Sequence, residues 1–133
     1  MRKAVTTAIA AILVPTAGGA VQANGPARPL DPRFVALHEI TTPIFGESRI
    51  EGALSATLVI QASNPKAAAA LRGRMPEIRA EALATTIEFS RLYASGMLPV
   101  DAQRLSADLN SALKKSFPGI ERVLIVRVGA VPA

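Results

Sequence analysis

The residues of this chain that could do chemistry are one histidine, a few scattered serines and a run of arginines and glutamates. His38 is the only histidine, and cysteine is absent. One imidazole cannot build a multi-histidine metal centre, and no carboxylate pair lies near it at ligand spacing. The missing thiols remove disulfides and every cysteine-based metal site. Ser48, Ser55 and Ser63 are available as nucleophiles, but none sits in a nucleophile-elbow motif. Gly18 and Gly19 belong to the N-terminal segment, and no phosphate-cradling glycine loop occurs elsewhere. These residues predict a protein that is not an enzyme and that uses neither cofactor nor metal.

The charged run admits two readings. Glu77, Glu81 and Glu88 fall at helical spacings beside Arg72, Arg74, Arg79 and Arg91. One reading is a solvated helix face, with side-chain pairs worth a few tenths of a kcal/mol each. The other is a charged contact surface, with Arg72, Arg74 and Arg79 as the partner-binding face. The formal charge of +5 falls to +3 without Arg2 and Lys3, a mild excess. Tryptophan is absent and Tyr93 is the only tyrosine, so no aromatic platform for stacking bases is evident. Nucleic acid is not an expected partner.

Location is written at the N-terminus. Met1-Arg2-Lys3 is a basic start, Ala4 to Val14 is mostly apolar, and Pro15, Gly18 and Gly19 break any helix. Val21-Gln22-Ala23 presents small residues where a signal peptidase reads, so residues 1–23 read as a cleaved secretory signal. The alternative is a retained N-terminal anchor, for which the apolar stretch is short and interrupted. The expected location is the periplasm. With a retained anchor it becomes the inner membrane, facing the periplasm, and a membrane contact is expected only in that case.

Residues 24–33 are a proline-rich, flexible lead-in, and residues 34–133 form one domain. Phe34 to Phe45 is β-rich, and Pro43 marks it as an edge strand. Gly46-Glu47-Ser48 is a turn. Ile50, Leu54, Ala56, Leu58 and Ile60 then share one parity, against Glu51, Ser55, Thr57 and Gln61 on the other. That period of two predicts a strand with one buried face, paired with the first as a hairpin.

Asn64-Pro65 announces a helix, with asparagine as N-cap and proline at the first helical position. Leu71, Met75, Ile78, Ala82, Phe89 and Leu92 mark its apolar face, and Pro76 should kink or split it near Arg72 to Met75. Asp101 is placed to cap a second helix with a Leu105, Leu109, Ala112 and Leu113 stripe, ended by Phe117-Pro118-Gly119. Ile120 to Val128 is apolar on both parities, which predicts a central strand. The order β-β-α-α-β predicts a small α+β domain, with helices packed on one face of a mostly antiparallel three-stranded sheet. A right-handed return beside the second strand would suit a parallel closing strand.

From Phe34 onward this layout resembles the periplasmic domain of the flagellar basal-body protein FliL and its relatives. The segments that carry the resemblance are FVALHEITTPIFG, SRIEGALSATLVIQASN, LRGRMPEIRAEAL, VDAQRLSADLNSAL and IERVLIVRVGA, with Met75-Pro76-Glu77-Ile78-Arg79 as the one short motif. The resemblance implies a stomatin-type fold and a non-enzymatic protein that self-associates around the motor's stator units. Members of that family hold the domain by an N-terminal membrane helix, whereas the equivalent segment here reads as a leader.

Two functions from different classes follow as expectations. The first is an exported interaction or scaffold protein of the FliL-like kind, working at the flagellar basal body or in the envelope. Its partners would be proteins, either itself or motor and stator components. The second is a periplasmic domain that binds a small ligand or lipid, suggested by the 50% apolar content.

Overall fold

The structure is a computed structural model that describes residues 31–133. The leader read over residues 1–23, and the lead-in as far as residue 30, lie outside the described residues. Among the described residues no helix is long and apolar enough to cross a membrane.

The elements follow in the order β1 (Phe34–Ala36), β2 (Ile40–Phe45), β3 (Ile50–Ala62), α1 (Pro65–Gly73), α2 (Met75–Tyr93), α3 (Ala102–Ser116) and β4 (Ile120–Pro132). The domain is α+β, with three helices on one face of a four-stranded antiparallel sheet. β3 is its central strand. It pairs with β4 along one side and with β1 and β2, end to end, along the other.

The expected first strand is thus one edge broken in two, which makes four strands of the expected three. Ala36 faces Val59 and Ile40 faces Ala56, so the edge carries one more residue than β3 between those pairs. That extra residue switches the buried parity from Val35 and Leu37 to Ile40, Thr42 and Ile44. The turn into β3 closes with the Gly46 N–H donating to the Arg49 carbonyl at 2.8 Å.

In β3 the alternation predicted from the sequence is realised. Leu54, Ala56, Leu58, Ile60 and Ala62 are buried beneath the helices, and Ala53, Ser55, Thr57, Val59 and Gln61 are half-buried on the open face. Ile50 departs from it and is exposed at the strand's start.

β4 returns beside β3 and runs antiparallel to it, within the mostly antiparallel sheet the sequence predicts, so no parallel crossover arises. It corrects one expectation: it lies at an edge of the sheet rather than in the centre. Two irregularities, after Ile120 and between Ile125 and Arg127, each insert one residue against β3. The helix-facing residues therefore run Ile120, Val123, Ile125, Val128 and Ala130, changing parity twice. Alternation broken in this way looks apolar on both faces.

The helices start and stop for local reasons. The Asn64 side chain accepts from the Ala67 N–H at 2.8 Å, and Pro65 opens α1. Pro76 has no N–H to give, and its ring conflicts with the preceding turn, so the helix divides at Arg74. The Asp101 side chain accepts from the Arg104 N–H at 3.0 Å and caps α3. Gly119 closes the α3–β4 turn at φ +99°, a conformation that costs other residues about 1–2 kcal/mol.

Leu105, Leu109 and Leu113 are fully buried between α2 and β4, as their spacing predicts. On α2 the buried stripe is Ile78, Ala82, Thr86, Phe89 and Ser90, while Leu92 is exposed. Two hydroxyls fill positions that an apolar pattern leaves out. Thr86 Oγ1 donates to the Ala82 carbonyl, and Ser90 Oγ donates to the Pro43 carbonyl, each at 2.7 Å.

Candidate functional site

His38 lies exposed in the break between β1 and β2. Ser48 sits in the β2–β3 turn, Ser55 in the middle of β3, and Ser63 beyond its end, where its hydroxyl donates to the Gly119 carbonyl at 3.2 Å. Among the described residues no hydrogen bond joins a serine to His38, and no three His, Asp or Glu side chains gather as a metal would require.

The three arginines are exposed around the α1–α2 junction, but they do not converge on one point. Arg72 Nη2 donates to the carbonyls of Pro32 and Phe34, at 3.4 and 3.3 Å. Arg79 donates to the carbonyls of His38 and Glu39, at 3.0 and 3.2 Å. Both therefore hold backbone oxygens along the β1–β2 edge. Arg74 turns elsewhere. It pairs with Glu77 at 2.6 Å and stacks 4.8 Å from the centre of the Phe117 ring. Arg91 pairs with Glu88 at 2.7 Å, and that hydrogen bond raises its pKa above the ordinary arginine value. The exposed Arg74–Glu77 pair contributes about 0.2–0.5 kcal/mol at most. Arg72 and Arg79 have a structural task that the charge pattern did not reveal: they tie the helices to the broken edge strand.

A surface that the sequence reading missed lies at one end of the domain. The β2–β3 turn, the α2–α3 loop and the C-terminal end of β4 meet there. The Gly96 backbone is packed so closely on Glu51 that an added Cβ would sit 2.6 Å from its carbonyl oxygen. Around this contact the large apolar side chains Phe45, Ile50, Met97, Leu98 and Val131 stand in solvent, Met97 85% and Leu98 67% exposed. Ile50, Met97 and Pro132 line a groove of about 500 Å³ with Arg49, Glu51 and Ala133. Scattered exposed apolar residues are ordinary, whereas here several large ones stand at one end of the domain. Two signals pointed to it: Met97-Leu98 inside a Gly–Pro-bounded loop, and Ile50 at the head of β3's apolar parity.

Two further grooves lie on the surface. One runs between α2 and α3 past Thr85, Glu88, Leu92 and Asp108. There the Arg104 guanidinium stacks 3.8 Å from the centre of the Tyr93 ring and donates to its hydroxyl at 2.5 Å. The other separates α3 from β4.

No protein-family model matches this chain, and no curated protein sequence matches it.

Proposed function

We propose that the chain is a non-enzymatic, exported interaction or scaffold protein of the FliL-like kind, acting on the periplasmic side through protein contacts. Its partners would be further copies of itself or components of the flagellar motor and its stators. The observation that carries this reading is the apolar end formed by Phe45, Ile50, Met97, Leu98 and Val131. Five large apolar side chains held in solvent at the ends of β2, β3 and β4 and in the α2–α3 loop form a surface that a protein partner would bury. The layout of strands and helices that resembles the FliL periplasmic domain supports the same reading.

The test uses the full-length chain in the cells that make it. Replacing Met97 and Leu98 together by Glu should leave the fold intact, abolish co-purification of motor or stator components, and impair swimming as gene deletion does. Normal swimming after deletion, with no such component retained, would remove the motor role. Intact-mass analysis with membrane fractionation decides the location. A soluble species beginning at Asn24 would support export with cleavage, and a full-length membrane species would support an anchored protein. A small molecule retained in native mass spectrometry would favour the ligand-binding alternative instead.

A further inference from the structure

The helices treat the two edges of the sheet differently. On the β1–β2 edge, Arg72 and Arg79 hold outward carbonyls, Ser90 holds that of Pro43, and Pro43 itself has no N–H. On the β4 edge one position is engaged among the described residues. The Asn110 carboxamide donates to the Val123 carbonyl at 3.0 Å and accepts from the Val123 N–H at 2.8 Å.

Those two bonds show which way Val123 faces: away from β3. Antiparallel alternation, carried across the irregularity after Ile125, turns the N–H and C=O of Ile125, Val128 and Ala130 to that same outer side. Beyond the strand, the Ala133 N–H points inward to the Glu51 carbonyl at 2.9 Å, as this alternation requires. Among the described residues no helix side chain hydrogen-bonds to Ile125, Val128 or Ala130. Unpaired edges of this kind are templates for another strand.

The surroundings fit one kind of strand. On the helix side, the groove between α3 and β4 has a volume of about 520 Å³, and the small residues Ala102 and Ser106 form part of its wall beside Ile125. On the open side stand Arg122 and Arg127, both exposed and neither in an ion pair among the described residues. Gly129 leaves open space next to Arg127, with no atom within 4 Å of where a Cβ would be. Glu121 and Arg122 both stand at the start of the strand, before the stretch from Ile125 to Ala130.

We propose that the outer edge of β4, from Ile125 to Ala130, binds an extended acidic segment of a partner protein by strand addition. Main-chain bonds to Ile125, Val128 and Ala130 supply affinity, and alternate side chains supply selectivity. Apolar side chains of the added strand enter the groove beside Ile125, and its carboxylates meet Arg127, with Arg122 just before the stretch. A second copy of β4 fits less well, because antiparallel self-pairing centred on this stretch brings two Arg127 side chains near each other. The inference goes beyond the apolar-end reading and concerns the main-chain edge of β4, which adjoins that end at Ala130.

The test is fluorescence anisotropy on the full-length chain at low salt. The probe is a labelled peptide, Thr-Glu-Val-Glu-Val-Glu-Val-Thr, blocked at both ends, and the comparison peptide carries Lys in place of each Glu. The acidic peptide should bind saturably and about tenfold tighter than the lysine peptide. Arg127→Glu should reverse that preference. Ala130→Pro removes an outward N–H without touching the ladder to β3, so it should abolish binding with the circular dichroism unchanged. If Ala130→Pro fails to fold, Arg127→Glu decides alone. Equal binding of both peptides, or binding indifferent to both variants, overturns the proposal. So does a dimer, seen by light scattering, that Ala130→Pro dissolves. Binding of the acidic peptide should survive the Met97 and Leu98 replacements, which keeps failure of this inference separate from failure of the apolar-end reading.

Discussion

Asn110 stands in for a neighbouring strand at Val123, meeting both the N–H and the carbonyl of that residue with one carboxamide. Its nitrogen also reaches the Ser106 carbonyl at 2.8 Å, so the same side chain fastens α3 to its own preceding turn. Asn110→Ala removes these bonds together with a longer one to the Ser106 hydroxyl at 3.4 Å, and should cost about 1–3 kcal/mol. Asn110→Asp keeps the acceptor, loses the donor, and sets a carboxylate against the Val123 carbonyl, so it should be at least as damaging. Urea denaturation of both variants, with hydrogen exchange at the Val123 amide, checks this. A wild-type midpoint for both would show that the edge contact contributes nothing.

Thr42 is buried on β2, and its Oγ1 has no hydrogen-bond partner among the described residues. An unpaired buried hydroxyl is costly, and valine has nearly the same shape. Thr42→Val should therefore stabilise the protein by about 1–2 kcal/mol, read as a higher denaturation midpoint. A lower midpoint would mean that the hydroxyl has a partner.

The α3 register rests on Leu109 and Asp101. Leu109 is fully buried, so Leu109→Ala should cost about 2–5 kcal/mol. Asp101→Ala removes the cap on the Arg104 N–H and should cost about 1 kcal/mol. Thermal melts of the two variants separate these effects. An unchanged melting temperature for Leu109→Ala would contradict the packing.

Gly52 permits a close approach of β3 to β4. A Cβ there would sit 2.2 Å from the Val131 carbonyl oxygen, a backbone atom that cannot step aside. Gly52→Ala should loosen the C-terminal part of β4 and cost about 1–3 kcal/mol. Gly73→Ala is the control, because no atom lies within 4 Å of its Cβ position. Equal effects in the two variants would rule out the close approach as the cause.

Much of this architecture was legible where one local rule acts alone. The caps at Asn64 and Asp101, the β3 alternation, the division of the helix at Pro76 and the Leu105–Leu109–Leu113 stripe each follow from a few neighbouring residues. The sequence misled where the period itself is interrupted. One extra residue between Leu37 and Ile40 divides β1 from β2, and two in β4 make an edge strand look central. Thr86 and Ser90 escaped the apolar stripe of α2 because their hydroxyls are satisfied locally and by Pro43. The arginines were legible by type but not by task, since the carbonyls bound by Arg72 and Arg79 lie about forty positions away in the chain. The apolar end was legible only in fragments, at Met97-Leu98 and at Ile50, because it is assembled from strand ends and a loop that lie far apart in the chain.

The central claim is that the end carrying Met97 and Leu98 is covered by a partner protein in the cell. The most direct measurement is photocross-linking in the cells that make the protein. A photoreactive amino acid is placed in the full-length chain at Leu98 and, as a control, at the exposed Lys115 at the far end of α3. The account predicts a discrete adduct from Leu98 that is absent from Lys115 and that disappears when Met97 is replaced by Glu. No adduct from Leu98, or the same adducts from both positions, would contradict it.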